Sequence, residues 1–496
     1  MKRRIFGLEY ELGLIARQKG SAKLKFDEAA ALLFQDVSAY GIGLNANIWT
    51  TNGCRLYIDT GFHPELSTAE CDSLDDLILI DRASELLYHE AALAAAARYK
   101  EEHETDITFY IYKNNVDFHG NGFGCHENYL VDRGVSFSRL AEALIPFFVT
   151  RQIFAGTGKF SQKASGKWEY GISSRSLQIA QEVAGITTGT RPIINTRDEP
   201  HADGKRYRRL HIIVGDSNMS CIATKLKMAS AGIVLDLIEG CAIDDNFIES
   251  FSLQSPVSAI KDIAHDLTLR EPLKRKKGPT ITAPEIQAAY LEVALNPKHQ
   301  QLINPDLLPF IPVWADVVDK LSKDPDLAYG VAEWVTKREL VESYAASRCI
   351  KPDDPKYGLI DLQYHDISPR RGLFRKQEVH ALAAAKEGGK ETERLRFAVD
   401  HSKINDYKYL PPIKGRPLVR GTLIALAQMF RLPMRADWTY VKTEKAGEYN
   451  PMLLMKDPRN LDEKAIMTFV KKGFTEDQQY DHRSIKLLGN MYANLN

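Results

Sequence analysis

An α+β fold is what this sequence predicts, and three observations predict it. Short segments with period-two alternation of apolar residues crowd the first 235 positions, the signature of half-buried strands. A long helical stretch interrupts them, and from 240 to 350 the pattern becomes mainly helical. Near the end, Pro411-Pro412, Gly415 and Pro417 break the pattern and set off a small C-terminal domain, residues 413–496, from a large one, residues 1–412.

Taken in order, the first strand is expected over Ile5 to Leu14, where apolar residues alternate. Arg55 to Asp59 alternates in the same way, and Ile107 to Tyr112 carries alternating β-branched and aromatic residues. Between them Ser73-Leu-Asp-Asp76 has the form of a capping box, with Asp in place of the usual Glu, so a helix is expected from Ser73 to Lys100. Its later part, Glu90 to Arg98, is rich in alanine, the strongest helix former. A further strand is expected over Leu210 to Val214 and a helix over Ala223 to Glu239. The basic run Lys274-Arg-Lys-Lys277 precedes Gly278-Pro279 and reads as a solvated loop, and Lys386 to Thr392 reads as a polar loop or insertion. In the small domain a helix is expected near Leu418 to Phe430 and a strand near Trp438 to Lys442.

Composition bounds the function. The 496 residues carry 65 Lys+Arg against 65 Asp+Glu, with 44% hydrophobic and 26% charged residues. These are globular values that exclude disordered and solvating acidic classes. Zero net charge argues against a protein whose main partner is nucleic acid or an anionic membrane, since both select a basic excess. Cys54, Cys71, Cys125, Cys221, Cys241 and Cys349 form no CxxC pair, so neither a zinc cluster nor a disulfide scaffold is signalled and reduced thiols are expected. No stretch reaches the ~18 apolar residues of a spanning helix, and a cytoplasmic protein is expected.

The chemistry is concentrated on strand faces. In the first strand Phe6, Leu8, Tyr10, Leu12 and Leu14 form one apolar face. Glu9 and Glu11 share the other, about 7 Å apart by strand rise and flanked by Gly7 and Gly13. Such a pair is either a solvated face or the lining of a cation site, for which Mg²⁺ is the economical occupant because hard cations prefer carboxylate oxygens. In Arg55-Leu-Tyr-Ile-Asp59, Arg55, Tyr57 and Asp59 share the polar face, and Glu65, Thr68 and Glu70 follow closely. Two such strands side by side would gather Glu9, Glu11, Tyr57, Asp59 and Glu65 around one cavity. Metal-binding carboxylates, a spare carboxylate as base and an arginine for phosphate make the inventory of an ATP-dependent carboxylate-activating site.

Arg191, Arg197, Arg206, Arg208 and Arg209 cluster beside the strand at His211, a density that suits triphosphate oxygens. His211 reads either as a metal ligand or as a core histidine. Other templates fail. Gly156-Thr-Gly-Lys159 lacks the upstream glycine of a P-loop, where Ile153 stands. Neither HExxH nor GxSxG occurs, and Cys125 and His126 are adjacent in a strand and so face opposite ways.

Gly7-Leu-Glu-Tyr-Glu-Leu-Gly13, Asn52-Gly-Cys-Arg-Leu-Tyr-Ile-Asp59, His63-Pro-Glu65 with Ala69-Glu-Cys71, and Lys113-Asn-Asn115 carry a resemblance to a known family. Gly124 to Leu130, Ile194 to Asp203, Tyr207 to His211 and Val214 to Asn218 extend it. Tyr364 to Ile367, Arg371 to Phe374, Asp437-Trp438 and Lys456-Asp-Pro458 carry it to the C-terminal region. The sequence resembles the ligases that attach the prokaryotic ubiquitin-like protein Pup to other proteins, within the glutamine synthetase-like carboxylate-amine ligase superfamily.

The resemblance implies a large domain built on a curved antiparallel sheet backed by helices, with a small C-terminal domain contributing to the ATP site. It implies Glu9, Tyr57 and Glu65 as Mg²⁺ ligands, with Glu11 and His211 as further metal or nucleotide contacts, and Asp59 as general base. Arg55, Thr68 and Trp438 are implied as ATP contacts, and Arg197 and Arg208, from the arginine cluster read above, are expected on the phosphates. ATP would phosphorylate the C-terminal glutamate side chain of Pup, and a lysine of a target protein would attack the acyl phosphate. The sister enzyme, which deamidates Pup and removes it from targets, carries a long insertion after the first acidic strand. Here only 43 residues separate Glu11 from Arg55, as in the ligase. A small-molecule glutamate-amine ligase of the same superfamily and an inactive scaffold also compete with the ligase reading. Phe62, Leu66, Cys54 and a long stretch near 376–410 depart from the family pattern.

Overall fold

The computed structural model describes residues 3–494 apart from 21–22, 118–119, 164–165, 167, 187–188, 190, 352, 387–398, 448 and 460. The polar stretch Lys386 to Thr392 therefore lies, from residue 387 onward, outside the described residues, as does the middle of the 376–410 segment. The chain packs as two compact units, one of Ile5–Ile111, Glu199–Tyr207 and Asp400–Asn496, the other of Met1–Arg4, Tyr112–Asp198 and Arg208–Val399.

In the first unit the strands are β1 (Phe6–Glu11), β2 (Gly13–Gln18), β3 (Gly41–Gly43), β4 (Asn47–Thr50), β5 (Arg55–Asp59), β6 (His63–Ser67) and β7 (Ile107–Tyr112). β1, β6, β5, β4 and β3 lie side by side in that order, all antiparallel. The single strand expected over Ile5 to Leu14 is two. At Leu12 the backbone N–H turns to the Pro64 carbonyl, at 2.8 Å, and the chain changes partners, β1 pairing with β6 and β2 with β7. The apolar face holds throughout, with Phe6, Leu8, Tyr10, Leu12 and Leu14 all buried. Behind β1 packs the helix Leu74–His103, capped by Ser73 accepting the Asp76 N–H, and against it the helix Phe26–Val37. Burying side chains such as Leu77, Ile80 and Leu87 contributes about 1.5–3 kcal/mol each.

In the second unit β8 (Cys125–Asp132), β9 (Lys159–Gln162), β10 (Trp168–Gly171), β11 (Gln181–Ala184), β12 (Pro192–Asn195) and β13 (Tyr207–Ile212) follow. β11, β12, β13 and β8 are ordered in that sequence, with β11–β12 parallel and β12–β13 antiparallel. β13 begins three residues before the expected Leu210, because tyrosine and arginine side chains continue the ladder that apolar alternation alone does not reveal. The helix Cys221–Glu239 is almost wholly buried against β8 and the helices Ala283–Leu295 and Phe310–Lys323. Cys54, Cys71, Cys125 and Cys221 are buried free thiols, and Cys241 and Cys349 are exposed.

The C-terminal residues return to the first unit. The helix Gly415–Met429 precedes an antiparallel sheet of β14 (Met434–Ala436), β15 (Tyr440–Thr443) and β16 (Met452–Leu454), then the helices Glu463–Gly473, Glu476–Tyr480 and His482–Ala493. Their core contains Val419, Leu423, Val441, Ile466 and Phe469 and takes in Trp49 of β4. The helix starts at Gly415 rather than Leu418, because Pro417 sits in the first turn, where its missing N–H leaves no bond unmade. Among the described residues no helix is long and apolar enough to cross a membrane.

Candidate active site

β1 and β5 are not neighbours, as their matching faces led one to expect: β6 lies between them. The three-residue turn Thr60 to Phe62 folds β6 back onto β5, and the free edge of β6 then takes β1. Alternation fixes which side chains share a face but not which strands touch. The inserted strand brings its own polar residues into line. Glu9 lies opposite Ser67, Ser67 opposite Arg55, and Arg55 opposite Trp49. In the next row Glu11 faces Glu65, Glu65 faces Tyr57, and Tyr57 faces Asn47. At the end of the hairpin Asp59 faces His63. One working face thus carries Glu9, Glu11, Glu65, Tyr57, Asp59, His63 and Arg55.

The charges on this face are crowded. Carboxylate oxygens of Glu11, Asp59 and Glu65 all lie within 4.8 Å of one another. Burial and the nearby Glu9 push the Glu65 carboxyl well above the ordinary range, although the Tyr57 O–H donates to it. Burial together with Glu65 and Glu9 drives the Tyr57 phenol up, so it stays protonated. The Tyr88 O–H donates to the Glu65 carbonyl at 2.9 Å, tying β6 to the long helix behind. A set of hard, anionic oxygens under mutual repulsion fits a divalent cation such as Mg²⁺, which would relieve that repulsion.

Beside this face is a cavity of about 790 Å³ lined by Trp49, Arg55, His201, Asp437 and Trp438, among others. Arg55 belongs to both: its Nε donates to Asn47 Oδ1 at 2.9 Å, and its guanidinium lies 4.2 Å from the Tyr57 ring. Trp49 and Trp438 meet edge to face at 4.7 Å, and the His201 ring lies 6.1 Å from Trp438. Indole and imidazole walls with Arg55 and Arg435 in the lining suit a planar base with an anionic tail. Trp49 carries no sequence signal for this role, since in β4 it reads as an ordinary core residue. Thr68 is buried, and its hydroxyl accepts the Leu8 N–H at 3.0 Å.

The remaining expected site residues belong to the other unit. His211 is buried on β13, and the ring of His126 meets it edge to face at 4.8 Å. His126 has an alternation signal on β8, since Cys125 and Glu127 turn inward and it does not. Arg208 is engaged by Asp198 at 3.9 Å and by the Val135 carbonyl at 3.2 Å, over the Phe137 ring. Arg197 is exposed, and its backbone N–H donates to the Asn195 side chain at 2.7 Å.

Known proteins are similar to nearly the whole chain. The family described as Pup-ligase protein matches residues 4–442. The chain is 40% identical over 459 residues to the Pup–protein ligase of Acidimicrobium ferrooxidans, covering 92% of this chain and 96% of the relative. It is 39% identical over 467 residues to that of Mycobacteroides abscessus, covering 94% and 98%. The crystal structure of the complex between Pup and its ligase PafA superimposes with a TM-score of 0.83 at 30% identity, covering 98% of this chain and 97% of that one. The structure of PafA in complex with ADP gives 0.74 at 30% identity, covering 92% and 95%. A family match over most of the length, and relatives this similar from end to end, place this chain in the Pup-ligase family.

Proposed function

We propose that the protein is an ATP-dependent ligase joining the side-chain carboxylate of the C-terminal glutamate of Pup to lysine amines of target proteins. The observation that carries this reading is the placement of Arg55, which links the acidic face of β1, β6 and β5 to the aromatic cavity. Nucleotide base and phosphoryl-transfer groups then have adjoining places. Relatives named as Pup–protein ligases, and structures of PafA with Pup and with ADP, support it.

A carboxylate is a poor electrophile, so the γ-phosphoryl group of ATP is first transferred to the glutamate side chain, breaking the bond to ADP and giving an acyl phosphate. Trp438 and Trp49 hold the base, and Arg55 holds phosphate oxygens. Thr68 adds a contact to the nucleotide. Glu9, Tyr57 and Glu65, with Glu11, would hold Mg²⁺, which supplies positive charge against the phosphate oxygens when bound. The target lysine, protonated near neutral pH, must lose a proton to attack. Asp59, half-exposed at the end of β5, takes it. The lysine nitrogen bonds to the acyl carbon, phosphate leaves, and an isopeptide bond results.

The test is a mass measurement with ATP, Mg²⁺, a lysine-bearing target and Pup ending in Glu or in Gln. The expected result is a gain of one Pup mass, less water, with the Glu form only. Ammonia released from the Gln form with no conjugate would instead assign a deamidase.

A further inference from the structure

Behind the aromatic cavity, outside its lining, lies a buried charged cluster. The carboxylate of Glu70, just past β6, receives Arg416 Nε and Arg420 Nη2 in short contacts, with Arg420 Nη1 also at 3.2 Å. Both arginines project from the first two turns of the helix Gly415–Met429, and both are buried. Other donors of the two guanidiniums reach backbone carbonyls, most of them in or next to the segments that build the cavity. Arg416 Nη1 donates to His201 O, and to Met455 O at 3.2 Å. Arg420 Nη2 donates to Gly53 O at 2.8 Å, in the turn between β4 and β5, and its Nη1 to Trp438 O at 3.4 Å. The Arg420 guanidinium also lies 5.0 Å from the Trp49 ring and 5.2 Å from the Trp438 ring.

Each of these bonds fixes a part of the wall. Trp49 and Trp438 sit on separate segments, and a guanidinium facing both rings while bonding to Trp438's own carbonyl sets their edge-to-face angle. Gly53 adopts φ +84° in its turn, a conformation a side chain would resist, and the Arg420 bond to its carbonyl holds that turn. Arg416 holds the carbonyl of His201, whose ring leans toward Trp438. Without Glu70 the two guanidiniums would be buried like charges and could not stay side by side.

We infer that Glu70, Arg416 and Arg420 are positioning residues for nucleotide binding: they fix Trp49, Trp438 and His201 in the geometry that accepts the base. This rests on the nucleotide reading of the cavity. The three residues act through the wall and touch no reacting atom. Arg420 matters most, because its guanidinium lies close to both indoles while its fork bonds two carbonyls at once, a set of fixed directions that an ammonium does not offer.

Steady-state conjugation by the full chain tests this, varying ATP at saturating Pup and target, for wild type, Arg420→Lys and Trp438→Ala. Arg420→Lys keeps the charge beside Glu70 and loses the fork. The expected result is an ATP KM raised about tenfold, which corresponds to ~1.4 kcal/mol of binding, with kcat at saturating ATP and the KM for Pup little changed. Arg420→Ala should be worse than Arg420→Lys on the same axis. A merely structural role predicts another pattern, with fewer active molecules, lower kcat and an unmoved ATP KM, and that result would overturn the inference. If Trp438→Ala raises the ATP KM and Arg420→Lys does not, the inference fails and the cavity assignment survives. If neither moves it, both fall.

Discussion

Tyr57 lies directly opposite Glu65 across β5 and β6, and its phenol donates to a carboxylate that burial and Glu9 have already made reluctant to ionise. The pair is held by backbone register rather than by flexible loops, so its oxygens are in place before any ligand arrives. That preorganisation gives the acidic face its sharpest expectations.

Tyr57→Phe removes the donor and one oxygen while preserving the ring under Arg55. Conjugation at low Mg²⁺ should fall at least ~10-fold and recover in part as Mg²⁺ is raised, which a Mg²⁺ titration of initial rates will show. An equal loss at every Mg²⁺ concentration would remove Tyr57 from the metal-holding group.

Asp59→Asn keeps the size and register of the residue facing His63 but cannot take a proton. Conjugation should drop about 10²-fold or more, while nucleotide binding followed by ADP titration stays within about twofold. Unchanged turnover would take the base role from Asp59.

Mg²⁺ alone should stabilise the fold. Carboxylates of Glu11, Asp59 and Glu65 within 4.8 Å of one another repel, and a bound cation turns that repulsion into attraction. Wild-type Tm should rise by a few degrees with millimolar Mg²⁺. Glu65→Gln should raise the Tm measured without metal and blunt the response to it. A Tm shift that survives in Glu65→Gln would place the ion elsewhere.

Acid should weaken the buried cluster at Glu70. Burial works to raise this carboxyl, but Arg416 and Arg420 overcome it and hold the value at about 2. Because the folded value is depressed, its stabilisation is full above the unfolded value near 4.5 and is lost as pH falls from there through about 2. The amount at stake is on the order of 3 kcal/mol. Urea unfolding between pH 7 and pH 3 should show a steeper loss for wild type than for Glu70→Gln. Parallel slopes would mean that Glu70 is not the group responsible.

Local pattern made a good part of this legible. Alternation in Phe6 to Leu14 and Arg55 to Asp59 separated core from working side chains, since strand geometry leaves a side chain only two directions. The capping pattern at Ser73 located a helix start because the cap bond spans three residues. The neighbours of β5 were not legible in the same way. Both β1 and β6 present matching faces, and only the tight Thr60 to Phe62 turn and the pairing it closes put β6 in the middle.

The sequence by itself determined the chemical inventory: an acidic face, a candidate base at Asp59, an arginine at position 55, and enough ordered motifs to indicate a ligase of Pup. Only the tertiary structure decided the rows in which those groups meet and the cavity beside them. It also revealed Glu70 held by arginines 346 and 350 positions away in the chain. The physical reason is range. Side-chain direction and capping are settled within a few residues by backbone geometry. Partners across a sheet or behind a wall are chosen by burial and charge pairing among segments that the chain order does not place together.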